Sequence, residues 1–600
     1  MFRQNQSHLQ QQMLTAVDTL PQAQFARLES SWAGAFYREF FVRIDELPYA
    51  VLFSAKDSRP NIPINVLVAL EVLKAGFNWS DEDLHDAFCF NLQVRHALGY
   101  RTLGDGHFTL RTVYNFRHRL SVYAQRTGTN LFEQSFEQIA DGQMAAFKVK
   151  TGKVRMDSSQ IASNIRNFSR LHLLVEVLHR VHRILSEQDR TRLAEVFAPY
   201  LKGNASQYVY RVKSDEGAAH MQRLGDVMQG LLTGLAAAYG ERPAYQMLQR
   251  VFTEHFLVEP ASRPRPGEPP PETGESPPET GGRLKTGKEL RADSLQSPDD
   301  PEASFRTKNG GSFKGYAVNI TETCDPDNEL QLIAKVQTQP NVTNDDDLLI
   351  AAIPSLTQRL HLQEVYTDGG YNSAESATLL REQGITHVQT AIRGHAPHRW
   401  LGLDTFTIDG GEPDGLRTIT CPGGQTVTVE RVVSKHELPH YRAYFDAQLC
   451  QACPLQDRCR VSSKNSISLR RLSFDYHDVE IARRRQRIVR DHHERQNLRV
   501  AVESTIGSLK QPYNYGQLPV RGQFRINSLL LGGAAMANVR RIHRYLTRTL
   551  AQDQSIGPRA GNAWHKPALL SRFWPTTGRL LRTFSAFRRQ SHPAPLPRAS

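Results

Sequence analysis

Arg499-Val-Ala-Val-Glu503-Ser-Thr-Ile-Gly-Ser-Leu-Lys510 is the stretch on which the reading of the chain turns. Nothing in it interrupts a helix until Gln511-Pro512, where proline lacks an amide donor and its ring obstructs a further turn. Spacings of four and seven set Arg499, Glu503 and Lys510 along one side, and Val502, Ile506 and Leu509 recur at i, i+4 and i+7 beside them. Such a helix can pack on a core while holding one carboxylate between two cations. The same pattern also describes an ordinary amphipathic helix whose charges pair in solvent. What lies upstream has to decide.

The chain has 600 residues, 39% hydrophobic and 22% charged, the balance of a soluble globular protein too long for one core, so roughly two to four domains are expected. A net charge of +13 points to a polyanionic partner, of which nucleic acid is the commonest and an acidic membrane surface the alternative. The longest apolar run, Leu529-Leu-Leu-Gly-Gly-Ala-Ala-Met-Ala, is too short to span a bilayer, so no membrane partner is expected. The opening Met-Phe-Arg-Gln-Asn-Gln lacks the apolar centre of a signal peptide, which places the protein in the cytoplasm. In that reducing compartment six cysteines suggest metal binding before disulfides.

Residues 1–145 read as a helical N-terminal, DNA-binding domain. One helix follows Pro63 through Asn65-Val-Leu-Val-Ala-Leu and is expected to stop at Gly76; a second starts at the N-cap Ser80 and runs through Leu84 and Phe88 to Leu92. A third, Thr109 to Leu120, carries Arg111, Arg117, His118 and Arg119. Residues 149–164 hold a short alternating strand with Asp157, and residues 165–258 return to helical periodicity as an insertion. Residues 259–300 are Pro-, Glu- and Gly-rich, with Pro-Pro-Glu-Thr-Gly at both 270 and 277, and read as a mobile linker. In residues 301–399 two strands flank the turn Asp325-Pro-Asp-Asn and should pair antiparallel; a helix opens at Asp345-Asp-Asp; and the strand Glu364-Val-Tyr-Thr ends at Asp368 beside two glycines. A helix over 374–383 and another strand from Thr386 complete an alternation that argues for a mixed α/β sheet. Residues 400–475 are a strand-rich insertion with cysteines, 476–546 hold basic helices and Glu503, and 547–600 read as a basic, flexible tail.

Asp157 on the first strand, Asp368 at a later strand end and Glu503 on a helix are three carboxylates in settings that two Mg²⁺ ions require, since Mg²⁺ prefers oxygen ligands and keeps positions open for water and phosphate. Met-Asp157-Ser-Ser, Tyr-Thr-Asp368-Gly-Gly-Tyr and Arg499-x3-Glu503-x6-Lys510 resemble the DDE motifs of bacterial insertion-sequence transposases. The helical N-terminal module resembles theirs too, as do Ser297-Pro-Asp-Asp-Pro-Glu-Ala-Ser and Phe313-Lys-Gly-Tyr, the entry to the second strand. The resemblance implies an α/β fold with an RNase H-like mixed-sheet catalytic core, split by insertions, with Asp157, Asp368 and Glu503 as catalytic ligands of Mg²⁺ or Mn²⁺. It further implies that Arg499 and Lys510 contact phosphate, that an aromatic residue such as Trp400 stacks on an extruded base, although a lone Trp is more often a core residue, and that a dimer or larger assembly processes two DNA ends. The family signature's tyrosine is replaced by Gln496. The implied partners are the element's terminal repeats and target DNA, cut by hydrolysis and joined by strand transfer. A transposase-derived DNA-binding protein with a decayed site, and a structure-specific nuclease on the same core, are the rival readings.

Arg483, Arg484, Arg485 and Arg487, with Arg490 and Arg495, lead into the Glu503 helix and suit the DNA backbone, although a solvated charged face has the same composition. Cys421, Cys450, Cys453 and Cys459 suit a closed structural Zn²⁺ site, the alternative being buried free thiols; Cys89 and Cys324 read as packing residues.

Overall fold

The computed structural model describes residues 1–556 apart from 10–14, 16, 18, 55, 57–60, 103, 167, 214, 259–281, 309, 391–399, 411–414, 433–438, 462–468, 495–497 and 514–515. Met1–Tyr545 make one compact unit. No described helix is long and apolar enough to cross a membrane.

The N-terminal helices follow their start signals more faithfully than their stops. Helix α1, Ile64–Phe77, runs straight through Gly76 and ends at Asn78, whose φ of 54° supplies the left-handed turn that closes a helix. Gly76 has another reason to be glycine: a Cβ there would lie 2.3 Å from Met536 Cγ. Ser80 caps the Asp81–Phe90 helix in a reciprocal box with Asp83, and that helix breaks short of Leu92 because Asn91 caps a new one, Leu92–Ala97. These helices have no core to themselves. Leu70 and Phe116 belong to the same buried cluster as Ile320, Val502 and Leu530.

The central sheet is mixed. Strand β1, Lys153–Ala162, pairs antiparallel with β3, Gly311–Thr323, and parallel with β5, Glu364–Thr367. Strand β2, Ser304–Lys308, forms a hairpin with the start of β3, while β4, Ile333–Pro340, pairs antiparallel with the rest of it. Strand β6, Thr386–Gln389, extends the sheet in parallel beyond β5, giving the order β2-β3-β1-β5-β6 with β4 also on β3. Helix α2, Asp345–Arg359, links β4 to β5. Between β1 and β2 lie helices from Arg170 to His255, around a core that includes Leu174, Leu178, Leu224 and Leu248.

The linker expectation fails over its second half. Arg283–Leu284 pairs with Phe256–Leu257, and Leu295 is buried in the insertion's core. Leu295, whose amide donates to Glu254 of the insertion, and Ser294, whose hydroxyl bonds locally to the Arg291 carbonyl, anchor a stretch that composition alone made look structureless; the two Pro-Pro-Glu-Thr-Gly copies lie outside the described residues.

Five strands between Thr407 and Asp475 form a second, antiparallel sheet. Helix α3, Tyr476–Glu494, packs beside it; helix α4, Val500–Lys510, and helix α5, Gln523–Ile556, return to the central sheet.

Candidate active site

Parallel pairing of β1 with β5 matches Lys153 to Glu364, Val154 to Val365 and Arg155 to Tyr366. The same offset, carried two residues further, sets Asp157 level with Asp368 just where β5 ends. Side chains alternate along a strand, so the two carboxylates project from the same face of neighbouring strands. Asp368 is held by accepting the Gly370 amide at 2.8 Å.

Helix α4 brings Glu503 to this edge and is pinned there by three groups. Lys510 Nζ donates to Ser159 Oγ at 2.9 Å and to the Gln160 carbonyl at 2.8 Å. Arg155 donates to the Leu498 carbonyl at 3.0 Å, ahead of the first turn. Thr505 donates to Glu322 Oε2 at 2.9 Å. Glu322 is a fully buried carboxylate, matched by Arg155 at 2.7 Å on one oxygen and Arg541 at 2.8 Å on the other. One buried charge with two cations and a hydroxyl thus ties β1, β3, α4 and α5 together, because leaving any of these groups unpaired there is expensive.

Arg499 links two of the three candidate acids, with Nη1 3.2 Å from Asp157 Oδ1 and Nη2 paired with Glu503. Glu503 itself is half exposed. Burial is the main reason the Asp157 carboxyl is pushed up to about 6; Arg499 opposes the shift, and Asp368 and Glu503 add to it. Among the described residues no three Asp, Glu, His or Cys side chains stand close enough together to hold an ion. The donor chemistry is nevertheless that of hard oxygen ligands, and a guanidinium now fills the gap between Asp157 and Glu503.

A fourth acid was not singled out by its sequence. Asp345, first residue of α2, is buried and accepts a 2.5 Å hydrogen bond from Ser158, the neighbour of Asp157. A Cβ on Gly370 would meet Asp345 Oδ2 at 2.6 Å and Asp368 Oδ1 at 3.0 Å, which puts Asp345 against the site. Fully buried Tyr371 donates to Asn319 at 2.7 Å beneath these acids, and burial, reinforced by Asp345, Asp157 and Asp368, keeps its phenol protonated. In sequence Asp345 opens the run Asp345-Asp-Asp, whose evident role is to start a helix.

The other expected contacts are scattered. Arg483 donates to the Gly410 carbonyl, Arg485 lies 3.4 Å from Asp404, and Arg484 is half-buried near Glu480, where desolvation pulls its pKa down. Arg484 and Arg487 both bear on His387 of β6, so α3 runs along the edge of the central sheet. Trp400 is exposed and begins the second sheet's module, away from the β1–β5 edge in sequence. Arg495 and Gln496 lie outside the described residues. In the N-terminal region, Arg117 turns inward to Glu71 and Asp81 at 2.8 Å each.

Cys421, Cys450, Cys453 and Cys459 line one cavity of the second sheet's module, and none is in a disulfide. The Gln425 amide donates to Cys421 Sγ at 3.3 Å and its side chain to Cys450 Sγ at 3.5 Å. Burial pushes the Cys450 thiol up. Buried Cys324, as expected, is a packing residue beside Tyr366 and Val388, and Cys89 packs on the main core.

The central mixed sheet thus sets Asp157, in the middle of β1, level with Asp368, just past the end of the parallel strand β5, beside the helix that carries Glu503. Residues 420–543 match the family model described as "Transposase DDE domain", and this supports a DDE transposase. The matched stretch contains the four cysteines, Arg499, Glu503 and Lys510, and stops short of Asp157 and Asp368. No curated protein matches the chain.

Proposed function

We propose that this chain is a DDE transposase that binds the ends of its own mobile element and catalyses metal-dependent DNA cleavage followed by strand transfer. The observation that carries the reading is the register of β1 and β5, which sets Asp157 level with Asp368 at the edge crossed by the Glu503 helix. The sheet order, with β3 antiparallel to β1, β5 parallel to β1 and β6 parallel to β5, supports an RNase H-like core split by the insertions at 165–258 and 400–475.

Asp157, Asp368 and Glu503 would hold Mg²⁺ or Mn²⁺, which supplies Lewis-acid activation of phosphate and water when bound. In the first reaction a water oxygen bonds to phosphorus and the 3′ oxygen leaves, taking up a proton to give a free 3′-hydroxyl. In the second, that hydroxyl loses its proton, its oxygen bonds to a target phosphorus, and one target strand bond breaks as one new bond forms. Arg499, freed from Glu503, can turn its guanidinium to the scissile phosphate, and the bonds from Lys510 to β1 fix the helix on which Glu503 is carried. Arg483, Arg484, Arg485 and Arg487 line a helix that can follow the DNA backbone, and Trp400 is exposed as a base-stacking residue must be. Two copies would act on the two element ends. Cys421, Cys450, Cys453 and Cys459 would hold a structural Zn²⁺ by drawing in around their shared cavity, and about one zinc per purified chain is expected.

The decisive experiment is cleavage and joining of a duplex carrying the element's ends, with Mg²⁺, by wild type and Glu503→Gln. Loss of both reactions in the variant with DNA binding retained supports the transposase. Cleavage without joining by wild type makes the chain a nuclease, and binding without either reaction makes it a DNA-binding protein only.

A further inference from the structure

One residue on from Glu503, a polar cavity of about 300 Å³ opens between the end of α1, α4 and α5. Its polar lining is Ser504, Thr505 and Ser508 of α4, Tyr513 after it, and Arg540, Arg541 and Arg544 of α5, and no carboxylate is among the lining residues. Arg541 is already matched by Glu322. Arg540 and Arg544 are not: among the described residues neither has an acidic side chain within salt-bridge distance. Arg540 donates to the Gly76 carbonyl at 2.7 Å and lies over the Phe77 ring, and Arg544 Nε donates back to the Arg540 carbonyl at 3.3 Å.

Two guanidiniums one helical turn apart therefore share a recess without a countercharge. Both side chains line the cavity yet remain exposed to solvent, and partial desolvation, then the charge of Arg544, pulls the pKa of Arg540 below its usual value. Burial pushes the Tyr513 phenol up to about 12, so at neutral pH it remains a donor. The lining offers guanidinium and hydroxyl donors of the kind that phosphate oxygens accept. We infer that this cavity is a second phosphate-binding site, which takes a backbone phosphodiester of a DNA strand passing beside α4. The choice of DNA over free phosphate rests on the reading of the chain as a transposase; the anion chemistry does not.

Two guanidinium contacts make a countable contribution to the salt dependence of DNA binding. Fluorescence anisotropy of a labelled random-sequence duplex, without divalent metal, would be followed from about 50 to about 200 mM salt, and the slope of log affinity against log salt should be shallower by about two in the Arg540→Gln/Arg544→Gln variant than in wild type. Arg540→Lys/Arg544→Lys should restore most of the slope, which a merely misfolded α5 would not do. An unchanged slope in the glutamine variant overturns the proposal. So does a cavity that takes inorganic phosphate alone, seen as a rise in wild-type melting temperature that the glutamine variant lacks while duplex binding is the same in both. If wild type neither cuts nor joins but the slope difference is present, the transposase reading fails and this site stands.

Discussion

Arg499 Nη1 lies 3.2 Å from Asp157 Oδ1, so a guanidinium occupies the approach to the acid that β1 contributes. The same side chain is paired with Glu503. A divalent ion drawn to these two carboxylates has to displace a cation that is already there. Replacing Arg499 with Gln should therefore tighten Mn²⁺ binding, by roughly tenfold for the loss of one charge at this range and intermediate dielectric, while lowering cleavage. Calorimetric titration checks the first half, and weaker Mn²⁺ binding in the variant would sink it.

Asp157 titrates at about 6 in the fold against an ordinary value of 3.8. The folded chain holds that proton more tightly than the unfolded chain does. Its ionised form thus weakens the metal-free fold above pH 6, and the penalty fades as pH falls from 6 towards 3.8. Asp157→Asn should be more stable than wild type near pH 8 in chelator, by at most ~3 kcal/mol, with the gain vanishing in acid. Urea unfolding at several pH values tests this; a variant less stable than wild type at alkaline pH contradicts it.

Glu322 is fully buried between Arg155 and Arg541. Glu322→Ala leaves both guanidiniums and the Thr505 hydroxyl without their acceptor, and should cost about 3–5 kcal/mol of unfolding free energy. A change under about 1 kcal/mol would mean that solvent reaches this network and the charge is not truly buried.

Gly370 has no room for a methyl group. A Cβ would sit 2.6 Å from Asp345 Oδ2 and 3.0 Å from Asp368 Oδ1. Gly370→Ala is expected to fold with a loss of about 1–3 kcal/mol and to lose at least about tenfold in metal-dependent cleavage, because the shift falls on the two acids. Wild-type cleavage rates in the alanine variant would show that Asp368 can move without consequence.

His387 is half-buried against Thr367, to which it bonds at 2.7 Å, and desolvation, aided by Arg484 and Arg487, lowers its pKa to about 3. The unfolded chain binds that proton near pH 6.5, so the fold loses stability as pH drops from 6.5 towards 3. His387→Gln should flatten the acid limb of the stability profile. An identical acid limb would place the titration elsewhere.

The strands and helices that carry Asp157, Asp368 and Glu503 were legible because local pattern decides them: alternation around Asp157, two glycines after Asp368, a proline after Lys510. Long-range side-chain partners were not. Ser158 and Asp345 meet across 187 positions, and Thr505 and Glu322 across 183, and no spacing rule reaches that far. Gly76 misled for a related reason: it reads as a helix stop, yet the chain needs its small size for the close approach of Met536. The linker was half misread because composition weighs the whole window and one anchoring leucine, Leu295, carries little weight in it.

The pairing of β1 with β5 has one more implication. Asp157 and Asp368 keep their mutual height through backbone hydrogen bonds, like two rungs bolted to adjoining ladders, whatever the length of chain that leaves Ala162 and returns at Ser304. The segment spliced in there is therefore free to lengthen, shrink or be exchanged over generations without respacing the acids. A one-residue slip inside β1, by contrast, would turn Asp157 to the opposite side of the sheet. Descent can tinker at the exits of this sheet and is barred from its rungs.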